Sequence, residues 1–288
     1  YELYKIKSYL RHPGSMILMF LVMLATFITF ALLLFLIFYI LINGIPYIKP
    51  SLFSLHYTSD NASVIPALIN TVVMTLLSLL IAVPFGIFSA IFLVEYSGKG
   101  NKFVEVIRLT TETLSGIPSI VYGFFGLVVL VPFIREHFKN SNGQSILCAS
   151  ILLGIMILPT IIGASEPTIR AVEQSYYEGA LALGATHERS VFTVVVPAAK
   201  SGILAAVILG VGRALGETMA VMMVVGNQPR VPNSILQGVR TLTTNIVMEM
   251  GYATDLHREA LIATGVVLFA FILIINLCFS AIKRSGKE

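Results

Sequence analysis

Long apolar runs alternate along this chain with short polar segments, and the runs carry no regular polar face. Six stand out: Ser15–Ile42, Val64–Val94, Ser119–Ile134, Ser145–Gly163, Ala199–Val225 and Ala260–Ile282. Crossing a bilayer as a helix takes about 20 apolar residues. The third run, at 16, is short, and is expected to begin nearer Leu114 or to lie tilted inside a bundle. Pro84 and Gly86 interrupt the second run, and Pro159 sits near the end of the fourth. Lipid supplies no partner for backbone N–H and C=O groups, so only helices and closed barrels cross it. These runs are too long and too continuously apolar for barrel strands. The expected fold is all-α and integral to the membrane, with six transmembrane helices. One membrane domain, 15–282 with a core at 64–282, is expected between an N-terminal segment 1–14 and a C-terminal tail 283–288. The first run spans 28 residues, beyond the 7–15 of a cleaved signal, and no small-x-small site follows it, so it is expected to stay as an anchor.

Composition agrees with the pattern. The chain is 56% hydrophobic and 12% charged, with mean hydropathy +0.88, whereas a soluble domain is about a quarter charged. Most of the surface must therefore face lipid. Cys148 and Cys278 lie in apolar runs without ligand-type neighbours, and read as small core or lipid-facing residues rather than a disulfide or metal site. His12, His56, His137, His187 and His257 never share metal-ligand spacing, and read as surface or interfacial residues. No metal site, no nucleophile–base set and no catalytic residue is expected. No basic patch interleaved with aromatics suggests nucleic acid. No Gly-x-x-x-x-Gly-Lys-Ser/Thr loop occurs, so the chain carries no nucleotide site of its own.

Charge sets the orientation. With the N-terminus in the cytoplasm, inner segments hold twelve of the nineteen Lys and Arg residues, outer loops hold six, and Arg213 lies within the fifth run. This bias predicts both termini inside. It also places the segment between the fourth and fifth runs in the cytoplasm. Lys102–Leu114 reads as an amphipathic helix, with Phe103, Val106, Ile107 and Leu114 opposite Glu105, Arg108 and Glu112. The long outer loop Gly226–Glu259 carries a helical pattern from Ser234 to Met250.

The fifth run contains two charges in an apolar setting, Arg213 and Glu217. Four residues apart, they are expected to share a helix face. Each costs about 2.5–3.5 kcal/mol at a helix centre, so such residues usually face a bundle interior or a water-filled path. Arg213 lies near mid-membrane, about 21 Å along the helix at 1.5 Å per residue. Its planar fork suits an oxyanion such as phosphate, and Glu217 is expected to offset it when the path is empty. The alternative is an ion pair that pins helix packing. Thr218 joins them as a candidate pathway residue. Gly212 and Gly216 form a small-xxx-small pair suited to close helix contact.

The polar segment before the fifth run carries the most specific pattern. It reads Glu178-Gly179-Ala180, three residues, Gly184, and then Val194-x-Val196-Pro197. Small residues form a compact helix, Gly184 offers a left-handed exit from it, and Pro197 suits the first turn of the next helix. Glu178, read as lying near a helix start, suits the positive end of the helix dipole. The spacing resembles the cytoplasmic coupling loop of ATP-binding-cassette (ABC) importer permeases of the MetI-like type. Gly179, Val194 and Val196 depart from that pattern while keeping its size classes. The resemblance implies that Glu178, Gly179, Ala180, Gly184 and Pro197 serve coupling to an ATPase.

Further segments are similar to the phosphate permeases of the PstC family: Gly116-Ile-Pro-Ser-Ile-Val-Tyr-Gly123, Met156-Ile-Leu-Pro-Thr-Ile161, Gly212-Arg-Ala-Leu-Gly-Glu-Thr-Met-Ala-Val221 and Thr241-Leu-Thr-Thr-Asn-Ile246. That resemblance implies a PstA-like second permease subunit, a PstB-like ATPase dimer that holds ATP and Mg, and a PstS-like extracytoplasmic phosphate-binding protein. It implies no cofactor in this chain, membrane lipid as its surroundings, and a bacterial or archaeal cytoplasmic membrane. Rival readings are a permease for another oxyanion (sulfate or molybdate), an ion-coupled secondary transporter or channel, and an integral-membrane enzyme.

Overall fold

The computed structural model describes residues 13–58, 61–97, 102–139 and 141–285. The segments 1–14 and 283–288 lie outside these residues apart from the helix ends at 13–14 and 283–285, as do Lys5, Lys7, Arg11, Lys99 and Lys287.

The described residues are helical almost throughout, and contain one isolated bridge, between Gly226 and Val239. The long helices are α1 (Pro13–Gly44), α2 (Ile65–Ile91, continued by a π turn Phe92–Tyr96), α3 (Lys102–Gly116), α6 (Ile146–Arg170), α10 (Lys200–Gly216) and α13 (Asp255–Ser285). Between α3 and α6 lie α4 (Ser119–Phe125), a π turn (Gly126–Leu130) and α5 (Val131–His137). Between α6 and α10 lie α7 (Gln174–Ala182), α8 (His187–Ser190), a π turn (Val191–Val195) and α9 (Val196–Ala198). After α10 come α11 (Met219–Val224) and α12 (Leu242–Met250).

Among the described residues, five helical stretches are long and apolar enough to cross a membrane alone. A sixth qualifies when His187–Ala198 and Lys200–Gly216, bent by 69° against each other, are taken as one. The short third run does begin at Ser119, and it reaches 19 residues by running on to His137. The fourth does not stop near Gly163; α6 continues through Pro167 to Arg170. The fifth is not one helix from Ala199 to Val225: it ends at Gly216 and restarts at Met219. In the long loop only Leu242–Met250 is helical, capped by Thr241 in a reciprocal pair with Thr244, while Ser234–Arg240 is turn and bridge.

Proline explains two of the irregularities. The π turns Gly126–Leu130 and Val191–Val195 each end one residue before the segment that opens with Val131-Pro132 or Val196-Pro197. A proline leaves the carbonyl four residues back without its donor, and a π turn is a local way to reroute that ladder.

The core forms where α2 and α6 pack closely. Met74, Ala82, Leu152, Leu153, Met156, Ile157 and Ile161 are buried there with Ala214, Ala220, Val221 and Val224. Glycines let the backbones approach. A Cβ on Gly86 would lie 2.7 Å from Ile161 Cγ2, and one on Gly123 2.9 Å from Ala220 Cα. Buried hydroxyls turn back to carbonyls: Thr71 donates to Ala67 at 2.7 Å, and Ser150 reaches across to Met74 at 3.3 Å. The first helix behaves differently. Its side chains are exposed along most of its length, and it meets α13, where a Cβ on Gly44 would strike Val266 Cγ2 at 2.5 Å. Cys148 is buried and Cys278 exposed, both free.

Helix α3 turns a different side to the protein from the one its pattern suggests. Val104 and Ile107 pack against Leu93 and Ile162, and Arg108 also faces inward, whereas Phe103 and Val106 are exposed. An apolar side chain gains as much from lipid as from protein, so the hydrophobic stripe alone does not choose between them.

Gly123→Ala is expected to destabilise the protein by about 1–3 kcal/mol, because the added methyl meets backbone at Ala220. Gly14→Ala, which meets nothing within 4 Å, is expected to leave stability unchanged. Thermal unfolding of both variants in detergent checks this.

Candidate coupling loop and transport path

Two separated sites emerge, one midway along the bundle and one at the end that carries Gly184. The first centres on Arg213, near the end of α10. It is half-buried, and its Nη1 donates to Thr160 Oγ1 on α6 at 3.1 Å. It does not pair with Glu217, contrary to expectation. The helix stops at Gly216, and Glu217 adopts an extended backbone (φ −71°, ψ 125°). Four-residue spacing puts two side chains together only while the helix continues, and Gly212 and Gly216 lower the cost of ending it. Glu217 Oε1 instead accepts from Ala220 N–H at 3.2 Å, in the first turn of α11, where orphan amides and the helix dipole favour a carboxylate. Thr243 of α12 donates to the Glu217 carbonyl at 3.2 Å, and Thr218 Oγ1 donates to that of Gly216, also at 3.2 Å. Glu217 and Thr218 therefore build the break beside Arg213, rather than neutralise its charge. A Cβ on Gly212 or Gly216 meets nothing within 4 Å. No helix among the described residues fills the space they leave.

The second site is the Glu178–Pro197 segment. Helix α7 ends in a full Schellman turn: Ala185 N–H reaches Ala180 O at 3.1 Å, Gly184 N–H reaches Leu181 O at 2.9 Å, and Gly184 has φ +86°. Such a turn asks for glycine at the left-handed position. It leaves Leu183 91% exposed at the tip, with Tyr176 exposed on the same helix. Glu178 is the fifth residue of α7, so it sits mid-helix rather than at a helix start, and the dipole argument does not apply to it. Gly179, also within α7, meets nothing within 4 Å and leaves its flank open. Pro197 is the second residue of the short α9 before the 69° bend, and does not lie in the first turn of α10 itself.

His187, read as a surface or interfacial residue, is half-buried and braces this loop. Its Nδ1 lies 2.7 Å from the Tyr177 hydroxyl on α7, and its ring meets Tyr96 edge-on at 4.8 Å. Helix α7 is thus tied to the end of α2. Beneath it, Ile91, Ile169, Val191, Val195 and Ile203 form a small core. Tyr177 and His187 stand ten positions apart across a turn, so periodicity does not reveal the pair.

At the opposite end the long loop folds around Arg240, which is 8% exposed. Its Nη1 donates to Glu249 Oε1 at 2.7 Å and Asn245 Oδ1 at 3.2 Å, and its Nε to Asn227 O at 3.2 Å. It also stacks 5.9 Å from the Tyr57 ring centre. Burial pushes the Tyr57 phenol above its ordinary pKa; Glu249 adds to the shift and Arg240 opposes it. Asn70 of α2 donates to the carbonyls of Arg230 and Arg240, at 2.9 and 3.0 Å. Carbonyls of the same loop also cap α6: Ile146 N–H reaches Gln237 O and Leu147 N–H reaches Ile235 O.

Residues 82–285 match the family model described as the binding-protein-dependent transport system inner membrane component. The chain belongs to that family. It is an integral-membrane permease subunit of an ABC importer, and its all-helical architecture is of the MetI-like kind. A probable ABC transporter permease protein, YqgH of Bacillus subtilis, is 41% identical over 82% of this chain and 79% of the relative. The phosphate transport system permease protein PstC of Haemophilus influenzae is 34% identical over 72% of this chain and 71% of its own. Among solved structures, a bacterial alginate ABC transporter in complex with a pentasaccharide-bound periplasmic protein matches with a TM-score of 0.66 at 18% identity, covering 97% of this chain and 96% of that one. The MetNI methionine transporter in an inward-facing form matches with a TM-score of 0.58 at 20% identity, over 77% and 94%. At such identities these two structures speak for the fold of the permease.

Arg240→Gln is expected to lower the stability of the permease by about 2–3 kcal/mol, since it strands the Glu249 carboxylate and removes charged hydrogen bonds. Chemical unfolding in detergent, with Tyr57→Phe as a milder comparison, checks this.

Proposed function

We propose that this permease moves inorganic phosphate into the cytoplasm. The observation that carries the reading is Arg213, a half-buried guanidinium whose described partner is a neutral hydroxyl rather than a carboxylate. A cation left uncompensated in a low-dielectric path favours an anion, and its planar fork matches two phosphate oxygens. The open flank at Gly212 and Gly216 gives a small anion room beside it. Similarity to PstC proteins of several bacteria supports phosphate in particular. Sulfate and molybdate share the oxyanion chemistry and remain the alternative that substrate competition tests.

In this reading the Gly184 end faces the cytoplasm and both termini lie on that side, as the Lys and Arg distribution suggests. The exposed knob of α7 docks on a PstB-like ATPase dimer, whose own ATP and Mg drive the cycle. A PstA-like subunit covers the open face of α10. A PstS-like binding protein delivers phosphate at the Arg240 end. ATP binding closes the ATPase dimer and draws the coupling helices together. Because α7 joins α6 directly and leads through α8 and α9 to α10, that motion reaches Thr160 and Arg213 along the chain itself.

Uptake by the reconstituted importer tests the path. Arg213→Gln is expected to cut phosphate uptake about 10- to 100-fold, the loss of one charged hydrogen bond, with assembly and ATP hydrolysis largely kept. Unchanged uptake overturns the site, and uptake suppressed by sulfate but not by phosphate overturns the substrate. Gly184→Trp, which cannot take φ +86° without strain, is expected to leave the subunit inserted but to uncouple hydrolysis from transport. Normal transport by that variant refutes the coupling role.

A further inference from the structure

One polar cluster belongs neither to the Arg213 site nor to the knob. Glu166, on α6, accepts two arginines on a single oxygen: Arg108 Nη2 of α3 at 2.5 Å and Arg170 Nη2 of its own helix at 2.8 Å. The Glu166 side chain is 17% exposed, so the carboxylate is shielded, while Arg108 and Arg170, at 43% and 56%, reach solvent. Arg108 Nε is buried without a partner, so the described hydrogen bonding of this guanidinium rests on Glu166. A cavity of about 320 Å³ opens beside the group, lined by Arg108 and Glu166 themselves with Leu93, Thr111, Ile162 and Gly163.

The position in the helix gives the cluster its meaning. Pro167 follows Glu166 directly and leaves the Gly163 carbonyl without its helical donor, which makes this the weak point of α6 nearest its end; Pro159 makes another one earlier. Three residues beyond Pro167 the helix ends, and α7 starts at Gln174. A push on α7 would therefore tend to bend α6 at Pro167. Helix α3, in turn, forms one unit with α4: two residues separate them, and the Tyr122 hydroxyl of α4 donates back to Leu114 O at 2.7 Å.

We propose that Glu166 is a positioning residue that locks α3 to α6 at the Pro167 hinge, so that displacement of the coupling helix carries the α3–α4 unit along instead of bending α6. The proposal rests on Gln174–Ala182 being the coupling helix. It does not depend on which substrate is moved.

The test uses the complete importer in nanodiscs, with spin labels at Glu105 on α3 and Glu173 beside α7 in a Cys278→Ser background. In the otherwise unmodified protein the inter-label distance is expected to stay narrow and unchanged between nucleotide-free and ATP-trapped states. Glu166→Gln, or Arg108→Gln where the first variant assembles poorly, is expected to broaden and shift that distance on ATP binding. Substrate moved per ATP should fall about tenfold, the worth of one charged hydrogen bond. Glu166→Asp is expected to recover part of both. Arg170→Gln, which spares the link to α3, is expected to behave as wild type. Unchanged distances and unchanged coupling in both Glu166→Gln and Arg108→Gln overturn the proposal alone. A wild-type subunit that recruits no ATPase overturns the coupling reading, and the proposal with it.

Discussion

A backbone group inside an apolar span has no water to turn to, and this constraint organises the whole permease. Wherever a proline or glycine interrupts the helical ladder, something must take up the slack. Before Pro132 and Pro197 the ladder widens into π turns. After Gly216 it stops altogether, and the exposed start of α11 is met by the Glu217 carboxylate. At the start of α6 the loop carbonyls of Ile235 and Gln237 supply what a longer helix would have supplied. The polar chemistry of the subunit gathers at these breaks because they are where polar partners are required.

Charge placement follows the same logic. Glu217 satisfies amides at the helix break, and Arg213 is left with a hydroxyl. An acid and a base that look like a pair along the chain have separate tasks. Arg240 shows the opposite solution. It is buried deeply, but a carboxylate, an amide, a carbonyl and an aromatic ring surround it. A fully furnished cation holds a loop in shape, whereas an under-furnished one at a path is available to a ligand. The contrast between the two arginines underlies the proposal that Arg213 serves transport.

The Gly184 loop shows how local structure and tertiary packing divide the work. Its Schellman turn needs only the residues from Ala180 to Ala185, all adjacent in the chain, so a left-handed glycine was foreseeable at position 184. Its rigidity does not come from the turn. It comes from His187 held against Tyr177 and Tyr96, and from the small core under Val191 and Val195. These contacts brace the loop against the end of α2 as well as α6.

The presence of five or six apolar runs, the helical class, the exposed glycine turn and the family were all legible in the linear order of residues. Each depends on interactions within a few positions or on hydrophobicity summed over about twenty. The partners of Arg213, Glu217, Arg108 and His187 were not legible. Thr160 lies 53 positions from Arg213, and Glu166 lies 58 from Arg108. Which face of α3 turns inward was equally hidden, since lipid and protein interior reward the same apolar side chains. Those choices were settled only when prolines and glycines set where each helix bends, because the bends decide which polar side chains can meet across the bundle.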